Sequence, residues 1–407
     1  MAFVELHILQ NFAPSNLNRD ETNTPKSTQF GGYRRARISS QCLKRQIRQH
    51  SEFQDAVMAA SGDIAERSKR FASMMTDRLV ESGKNRDTAW DVVTKLFLAI
   101  KVVHEKSKEK SEYLLYIGQH EQEKLYEACL TYWDTLCQAE LPKDKTGKTS
   151  KSKKDLNKAI SAEVKKAVKE ILSNRIKGKV NSVDISLFGR MVSDYSEMNV
   201  DAACQVAHAL STNEVKMEMD FFTALDDLKP DDVQGSDMMG GTYFNSSCYY
   251  RYTLINLEKL KENLGYNPQK DKALPGDVKA LVLAGTKGFI KSCIAVTPSG
   301  KQNSSAAQNP VSYARICVRN GGSPWSLANA FIQPIRPKRD GSSNLEADSA
   351  VELEQFSDQV TDMYGNEGFY FNKASTYLRH EKLKGGYIPL DQLVEGSLKA
   401  VEEVIGG

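Results

Sequence analysis

The stretch that decides the fold is FGGYRRARISSQCLKRQIRQH, residues 30–50. A glycine pair and a short extended segment come first. A helix is predicted from Ser39 or the serine after it, because serine is a favoured N-cap and Leu43 and Ile47 then share one helix face. Six Lys or Arg residues fall within this stretch. The pattern predicts a strand followed by a helix that begins among cations.

These cations allow two interpretations. Charged helix faces are usually solvated, so the stretch can be an ordinary basic surface. A phosphate-binding surface is favoured by Gly31-Gly32, which allows close backbone approach. It is also favoured by the first residues of the helix, whose free amides attract an anion. Both interpretations remain open at this level.

Composition indicates a globular protein. The 407 residues are 40% hydrophobic and 26% charged, which is typical of soluble domains. No run of about 18 apolar residues occurs, so no membrane contact is expected. The start, MAFVELHILQNF, has no basic region and alternates as a buried strand does, so it is not a signal peptide and a cytoplasmic location is expected.

The charge is unevenly distributed. The net charge is +3, but residues 1–50 carry +5 and residues 141–180 carry +9, which leaves −11 for the remainder. Two basic regions on an acidic body suggest localised contact with a polyanion. Seven scattered cysteines and six histidines show no metal-ligand spacing, so no metal site and no cofactor are expected.

Periodicity predicts an α+β core that carries inserted helices. Residues 50–180 are predicted to be a helical insertion. One arm of a hairpin is expected at 211–228, returning through 229–242. Further strands are predicted at 2–10, 183–191, 242–257 and 311–319. Further helices are predicted at 200–210 and 275–293, and residues 348–380 are predicted to be largely helical.

Several ordered blocks resemble the CasC family, the backbone subunit of the type I-E CRISPR surveillance complex Cascade. The longest begins at Leu17 and reads LNRDETNTPKSTQFGGYRRARISSQCLKRQIR. The others are VDISLFGRM, AHALSTNEVKMEMDFFTALDDL, FNSSCYYRYTLINLEKLKENLG, GKQNSSAAQNP and SLANAF. The helical block 53–180 matches that family only loosely.

The resemblance implies a hand-shaped fold. Its RRM-like (ferredoxin-like) palm would comprise residues 1–50, 181–210 and 243–407, with helical fingers at 51–180 and a β-hairpin thumb at 211–242. Copies would stack head to tail along CRISPR RNA beside the other Cascade subunits. Each thumb would flip one base, and the remaining bases would pair with target DNA in antiviral defence. The family is noncatalytic, so no enzyme activity is expected.

The resemblance also implies RNA-binding residues. Backbone contact holds a guide whatever its sequence, and apolar side chains can wedge between bases because every base has a stacking face. For the wedge residues the alternative is ordinary core packing. The phosphate contacts would be Arg19, Ser39, Gln41, Lys44, Arg45 and Arg48. The wedges would be Met191, Phe221, Phe222 and Thr223.

The second basic region carries a separate hypothesis. Its lysines are predicted to attract duplex target DNA through phosphate contacts, and the alternative is a solvated linker. The predicted DNA-binding residues are Lys151, Lys153, Lys154, Lys158, Lys165 and Lys166.

Two functions of other classes stay open. Paired carboxylates can hold Mg²⁺ for phosphodiester cleavage, so a metal-dependent endoribonuclease would use Asp20 or the pair Asp226 and Asp227. A general DNA-binding protein would need no RNA. Neither interpretation has a recognised catalytic or metal motif behind it.

Overall fold

A computed structural model describes residues 1–142, 152–172, 182–192, 194–224, 238–336, 344–383 and 385–406. The chain folds as two units. The first comprises Met1–Ala56, Cys204–Glu258 and Thr286–Gly407, and the second comprises Val57–Ala203 and Lys259–Gly285.

The strands are β1 (Ala2–Ser15), β2 (Ser27–Phe30), β3 (Tyr33–Ile38), β4 (Ala65–Ser68), β5 (His104–Glu105), β6 (Lys110–Ser111), β7 (Leu115–Gly118), β8 (Cys204–Val206), β9 (Ala209–Ser211), β10 (Glu218–Ala224), β11 (Met238–Asn256), β12 (Tyr313–Asn320) and β13 (Phe369–Thr376).

The helices are α1 (Ser40–Gln49), α2 (Ser51–Ala59), α3 (Phe71–Glu81), α4 (Arg86–Leu98), α5 (Gln119–Thr131), α6 (Trp133–Gln138), α7 (Lys153–Lys158), α8 (Ala162–Leu172), α9 (Val183–Phe188), α10 (Leu257–Asn263), α11 (Gly276–Ala295), α12 (Gln302–Ser305), α13 (Leu345–Tyr364) and α14 (Leu390–Gly406). Short 3₁₀ turns lie at Lys106–Lys108, Ser196–Met198 and Ala328–Phe331.

The first unit is built on one antiparallel sheet. Its order is β13-β12-β1-β11-β9-β3-β2, and β8 and β10 also pair with β11. β1 lies between β11 and β12, where Leu9 is opposite both Tyr250 and Tyr313. The sheet's core includes Tyr250, Tyr313 and residues of α13 such as Leu353. The predicted mixture of helices with a strand-rich core is confirmed as a mixed α/β fold.

β1 is buried on both faces, including the face that carries polar side chains. Glu5 is fully buried and accepts hydrogen bonds from Tyr252 Oη at 2.8 Å and from the backbone N–H of Trp325 at 2.6 Å. Its carboxylate also pairs with Arg319 at 2.7 Å. Burial nevertheless raises the pKa of Glu5. The partners satisfy a carboxylate that would be costly to bury alone.

The second unit is mainly helical. Its core gathers residues of α3, α4, α5 and α8, among them Leu96, Leu125 and Val164. In the chain, helices α3 to α8 lie between β3 and β8, and two short antiparallel ladders, β4–β7 and β5–β6, lie among them. None of the helices in the described ranges is long and apolar enough to cross a membrane.

Two local predictions are wrong, and a third is wrong in part. Residues 183–191 were expected to form a strand, yet Val183–Phe188 is helical, and Gly189, with φ +80°, ends the helix. Residues 183–187 are all buried, polar and apolar alike, so the alternation of residue types did not indicate a strand with one buried face.

The other two errors place strands where helices were predicted. Residues 200–210 contain β8 and β9, because β11 pairs with both and this pairing overrides the local apolar spacing. Residues 348–380 begin as a helix, but Phe369–Thr376 is the edge strand β13, paired with β12.

Candidate nucleic-acid interface

The predicted strand and helix of residues 30–50 are confirmed as β3 and α1. Ser39 caps the helix, its Oγ accepting the Cys42 N–H at 3.3 Å, and Leu43 and Ile47 are the buried pair. Gly31 and Gly32 have positive φ angles of 61° and 83° and turn β2 into β3. A Cβ on Gly31 would lie 2.3 Å from the Ile332 carbonyl oxygen. Gly31 therefore serves a close approach within the fold.

The amides that begin α1 are largely occupied by the chain itself. The Ser40 N–H donates to His208 Nδ1 at 3.0 Å, and the Leu43 N–H donates to the Ser39 carbonyl at 3.2 Å. The Cys42 N–H donates to Ser39 Oγ. The Gln41 N–H, also in the first turn, has no partner among the described residues. Of the amides at Ser39, Ser40 and Gln41, only this one remains for an anion, because the Ser39 N–H donates to Asn18 Oδ1 at 2.9 Å.

Arg35 is fully buried and belongs to the fold. Its guanidinium donates to the carbonyls of Ser211 (3.1 Å), Thr212 (2.7 Å), Phe331 (2.5 Å) and Ile332 (3.1 Å). Burial lowers the pKa of Arg35. The basic stretch thus contains at least one cation that no phosphate can reach.

Other predicted phosphate contacts surround an open groove of about 310 Å³. Arg19 and Arg45 line it and are exposed, and Arg19 donates to the neutral Asn23 Oδ1 at 2.7 Å. No acid in the described part of the chain lies within ion-pair distance of either arginine. The groove is also lined by Leu17, Asn18, Cys42, Gln46, Ser299 and Gly300.

The remaining predicted contacts on α1 differ in exposure. Gln41 is exposed and lies one turn before Arg45. Lys44 and Arg48 are half-buried on the neighbouring face, and Ser39 is buried in its capping role. The structure therefore brings most of the predicted phosphate contacts onto α1 and the loop of Arg19, while Ser39 acts as a cap.

The predicted wedges Phe221, Phe222 and Thr223 lie on β10, which pairs with β11 as a hairpin. Phe221 is 61% and Phe222 41% exposed, so neither is a core residue. Phe222 lies opposite Gly240, where a Cβ would come 2.6 Å from the ring's Cζ. Strand alternation puts Phe221 and Thr223 on one face of the hairpin. On that face they join the exposed side chains Met219, Met239 and Tyr243.

Met191 belongs to the second unit and is 83% exposed. The preceding residue, Arg190, is buried and pairs with Glu121 at 2.7 Å. Arg190 and Val200 exchange backbone hydrogen bonds of 2.9 and 2.8 Å. A rigid base thus holds an apolar side chain in solvent, which suits a wedge better than core packing.

The predicted DNA-binding lysines differ in whether an acidic side chain pairs with them. Lys153 pairs with Glu112 at 2.7 Å and with Asp194 at 2.5 Å, and the hydrogen bond to Asp194 is the main reason its pKa is raised. Lys158 pairs with Asp155 at 3.2 Å on the surface. No acid in the described segments pairs with the remaining three, Lys154, Lys165 and Lys166. Lys151, with most of the 141–155 linker, lies outside the described residues.

Of the three carboxylates in the endoribonuclease interpretation, the structure describes only Asp20. Asp20 Oδ1 accepts from the N–H groups of Thr22 and Thr24, each at 3.0 Å, and these contacts lower the pKa of Asp20, with the Thr22 hydroxyl as the largest cause. It builds a local turn. Asp226 and Asp227 lie outside the described residues. Among the residues described, no three His, Cys, Asp or Glu side chains are grouped to hold a metal ion.

Sequence reasoning did not identify His208 and Lys301. His208 accepts the Ser40 amide and lies 3.4 Å from the Arg37 guanidinium; partial burial and Arg37 lower its pKa. Lys301 donates from Nζ to Thr242 Oγ1 of the hairpin at 3.1 Å. Their partners are distant in the sequence, so no local pattern indicates these contacts. The one available signal was that His208 and Lys301 each lie in a block that resembles the family.

Comparisons with known proteins are consistent with this fold. A family model described as CT1975-like protein matches residues 4–395. A solved chain described as "CRISPR RNA-guided surveillance complex, pre-nicking" is similar, with a TM-score of 0.75 and 26% identity over 98% of this chain and 99% of that chain. Another, described as "CRISPR RNA-guided surveillance complex", has a TM-score of 0.67 and 22% identity over 98% and 99% respectively, and shows likeness of fold. No curated protein matches.

Proposed function

Because the chain belongs to the CT1975-like protein family, we propose that it is a noncatalytic RNA-binding backbone subunit of a type I-E Cascade complex. It would polymerise along CRISPR RNA with further copies of itself and with the other Cascade subunits. It would kink the RNA at intervals and present the remaining bases to target DNA in antiviral defence.

The observation that carries this proposal is the groove between Arg19 and Arg45. Two exposed guanidinium groups, neither of them paired with an acid among the residues that the structure describes, line the open groove, and the same unit bears a hairpin with exposed aromatic rings. Phosphate contacts hold a strand whatever its sequence, and stacking rings accept any base. A guide-binding protein needs this combination because it must accept every spacer.

The parts of the hand follow as proposals. The sheet of the first unit would be the RRM-like palm, the helices of the second unit the fingers, and the β10–β11 hairpin the thumb. Phe221, Phe222 and Thr223 would wedge beside one base, and Met191 would supply a second apolar contact. Their exposure supports this role, because a side chain already in solvent can meet a base without unfolding anything.

The test is the salt dependence of RNA binding. Fluorescence anisotropy would follow a labelled single-stranded RNA over a range of KCl concentrations, for the wild type and for the triple variant Arg19→Ala, Lys44→Ala, Arg45→Ala. Each lost phosphate contact lowers the slope of log K against log salt by about 0.7 for single strands. We expect the slope to fall by about 2.

The matched control removes two exposed lysines of the same unit, Lys373→Ala and Lys399→Ala. It should leave the slope unchanged. Equal slopes for the wild type and the triple variant contradict the proposal. Mg²⁺-dependent RNA cleavage that is lost in Asp20→Asn would favour the endoribonuclease, and preference for mixed duplex DNA would favour a general DNA-binding protein.

A further inference from the structure

The segment that follows α11 has an unusual backbone. Lys301 and Ala306 flank the short helix α12 with φ angles of +47° and +45°, in the left-handed region. Residues with a Cβ rarely adopt this conformation, and it persists only where the surrounding structure determines it. The contacts that hold this backbone conformation therefore indicate what the segment is built to position.

Three contacts hold this segment, and each reaches a different part of the candidate interface. A Cβ on Gly300 would lie 2.2 Å from the Leu17 carbonyl oxygen, so this backbone packs directly against the loop that leads to Arg19. Ser299 Oγ accepts from Gln46 Nε2 of α1 at 3.1 Å. Lys301 Nζ donates to Thr242 Oγ1 at 3.1 Å.

The third contact reaches the hairpin at its wedge residues. Thr242 lies directly opposite Asp220, which precedes Phe221. Over residues 238–244, β11 pairs only with β10 among the described strands, so no third strand flanks the hairpin there, although β11 itself continues into the sheet beside β1. Lys301 has no acid within ion-pair distance in the described ranges, and its ammonium donates to the Thr242 hydroxyl.

We propose that Lys301 is a positioning residue that fixes the β10–β11 hairpin relative to the Arg19–Arg45 groove, so that the wedge meets the strand held in the groove. The inference rests on the proposed function. Ser299 and Gly300 belong to the groove wall, and the next residue contacts the hairpin. Phosphate binding and base displacement are thereby coupled through one short segment.

The experiment separates affinity from base displacement. Short RNAs that accommodate one protomer would carry 2-aminopurine at each position in turn, because this base brightens when it is unstacked. Anisotropy would report binding and its salt slope on the same RNAs. The variants are Lys301→Met, which keeps the aliphatic stem, Lys301→Arg, which restores a donor, and Thr242→Val, which removes the acceptor.

We expect Lys301→Met to bind RNA within about threefold of the wild type with the same salt slope, and to lose at least half of the 2-aminopurine brightening. Thr242→Val should give the same loss, the double variant no greater loss, and Lys301→Arg a recovery. Hydrogen exchange of the free protein should rise in peptides covering residues 218–224 in Lys301→Met.

Unchanged brightening in Lys301→Met overturns the inference. The inference is also overturned if Lys301→Met lowers the salt slope of RNA binding by about 0.7 while Thr242→Val leaves the brightening unchanged. Lys301 would then be a phosphate contact. A wild type that brightens no position would refute the proposed function itself, which distinguishes the two failures.

Discussion

Replacing Arg35 with methionine tests whether burial, and not the run of cations, decides the role of this residue. The guanidinium has zero exposure and four carbonyl acceptors, from Ser211, Thr212, Phe331 and Ile332. Methionine fills similar space and leaves these carbonyls without the guanidinium.

The expected magnitude follows from these contacts. Hydrogen bonds to a charged group each stabilise a protein by about 1.5–3 kcal/mol. The sum is reduced because the Thr212 carbonyl keeps the Ile335 N–H at 2.9 Å and because the guanidinium no longer has to be desolvated. We expect Arg35→Met to lower the free energy of unfolding of the first unit by about 3–5 kcal/mol, a large part of the usual total of roughly 5–15 kcal/mol.

The assay is urea unfolding followed by the fluorescence of Trp325. The other two of the three tryptophans, Trp90 and Trp133, belong to the second unit and are replaced by phenylalanine in every protein compared. The matched control is Arg34→Met, since Arg34 is exposed and, among the described residues, its guanidinium donates only to Ser27 Oγ, at 3.1 Å. That change should stay within about 0.5 kcal/mol.

The reasoning is refuted if Arg35→Met costs less than about 1 kcal/mol, or no more than Arg34→Met. Arg35→Lys provides a second check. One ammonium cannot reproduce the fork of a guanidinium, so lysine should recover only part of the loss. The RNA-binding salt slope of folded Arg35→Lys should equal that of the wild type.

Three further predictions can be measured separately. Gly240→Ala should displace the Phe222 ring, whose Cζ would lie 2.6 Å from the new Cβ, and cost about 1–3 kcal/mol of RNA affinity by anisotropy, whereas Gly276→Ala, which meets nothing within 4 Å, should be silent. Burial lowers the pKa of His104 to about 4 from 6.5, so the unfolded chain binds the extra proton and the second unit should lose up to about 2 kcal/mol between pH 6.5 and 5; His104→Phe should abolish this slope in urea titrations. Removing four lysines should lower the salt slope of duplex DNA binding by up to about 0.9 each, whereas the doubly paired Lys153 should contribute less. These lysines are Lys154, Lys158, Lys165 and Lys166.

Local signals predicted the elements that depend on local physics. α1 was predictable because its cap, Ser39, and its buried pair, Leu43 and Ile47, lie within nine residues of one another. β11 was predictable because a long aromatic run favours a strand. The sequence also predicted a hairpin arm at 211–228, and in the structure Phe221 lies on β10 opposite Gly241.

Long-range contacts explain most of what the sequence could not predict. The segment around Cys204 has helical apolar spacing, but β11 supplies a strand partner at Ile255. The sequence around Arg35 does not distinguish this buried residue from its exposed neighbour Arg34. Two of the Arg35 acceptors, the carbonyls of Phe331 and Ile332, lie almost 300 residues further along the chain. Burial of one cation among several is a property of the tertiary structure.

The occupied start of α1 changes how phosphate binding must work. A helix N-terminus attracts an anion through free amides, yet here the Ser40 N–H is taken by His208 and the Cys42 N–H by Ser39. One amide, that of Gln41, cannot supply the attraction of a full first turn. If RNA binds at this surface, its phosphates must be held mainly by side-chain cations, because these are the exposed charges that remain. The salt slope of binding counts the phosphates that charged side chains neutralise. Removing Arg45 should therefore lower the slope, whereas a contact from a neutral backbone amide would not contribute to it.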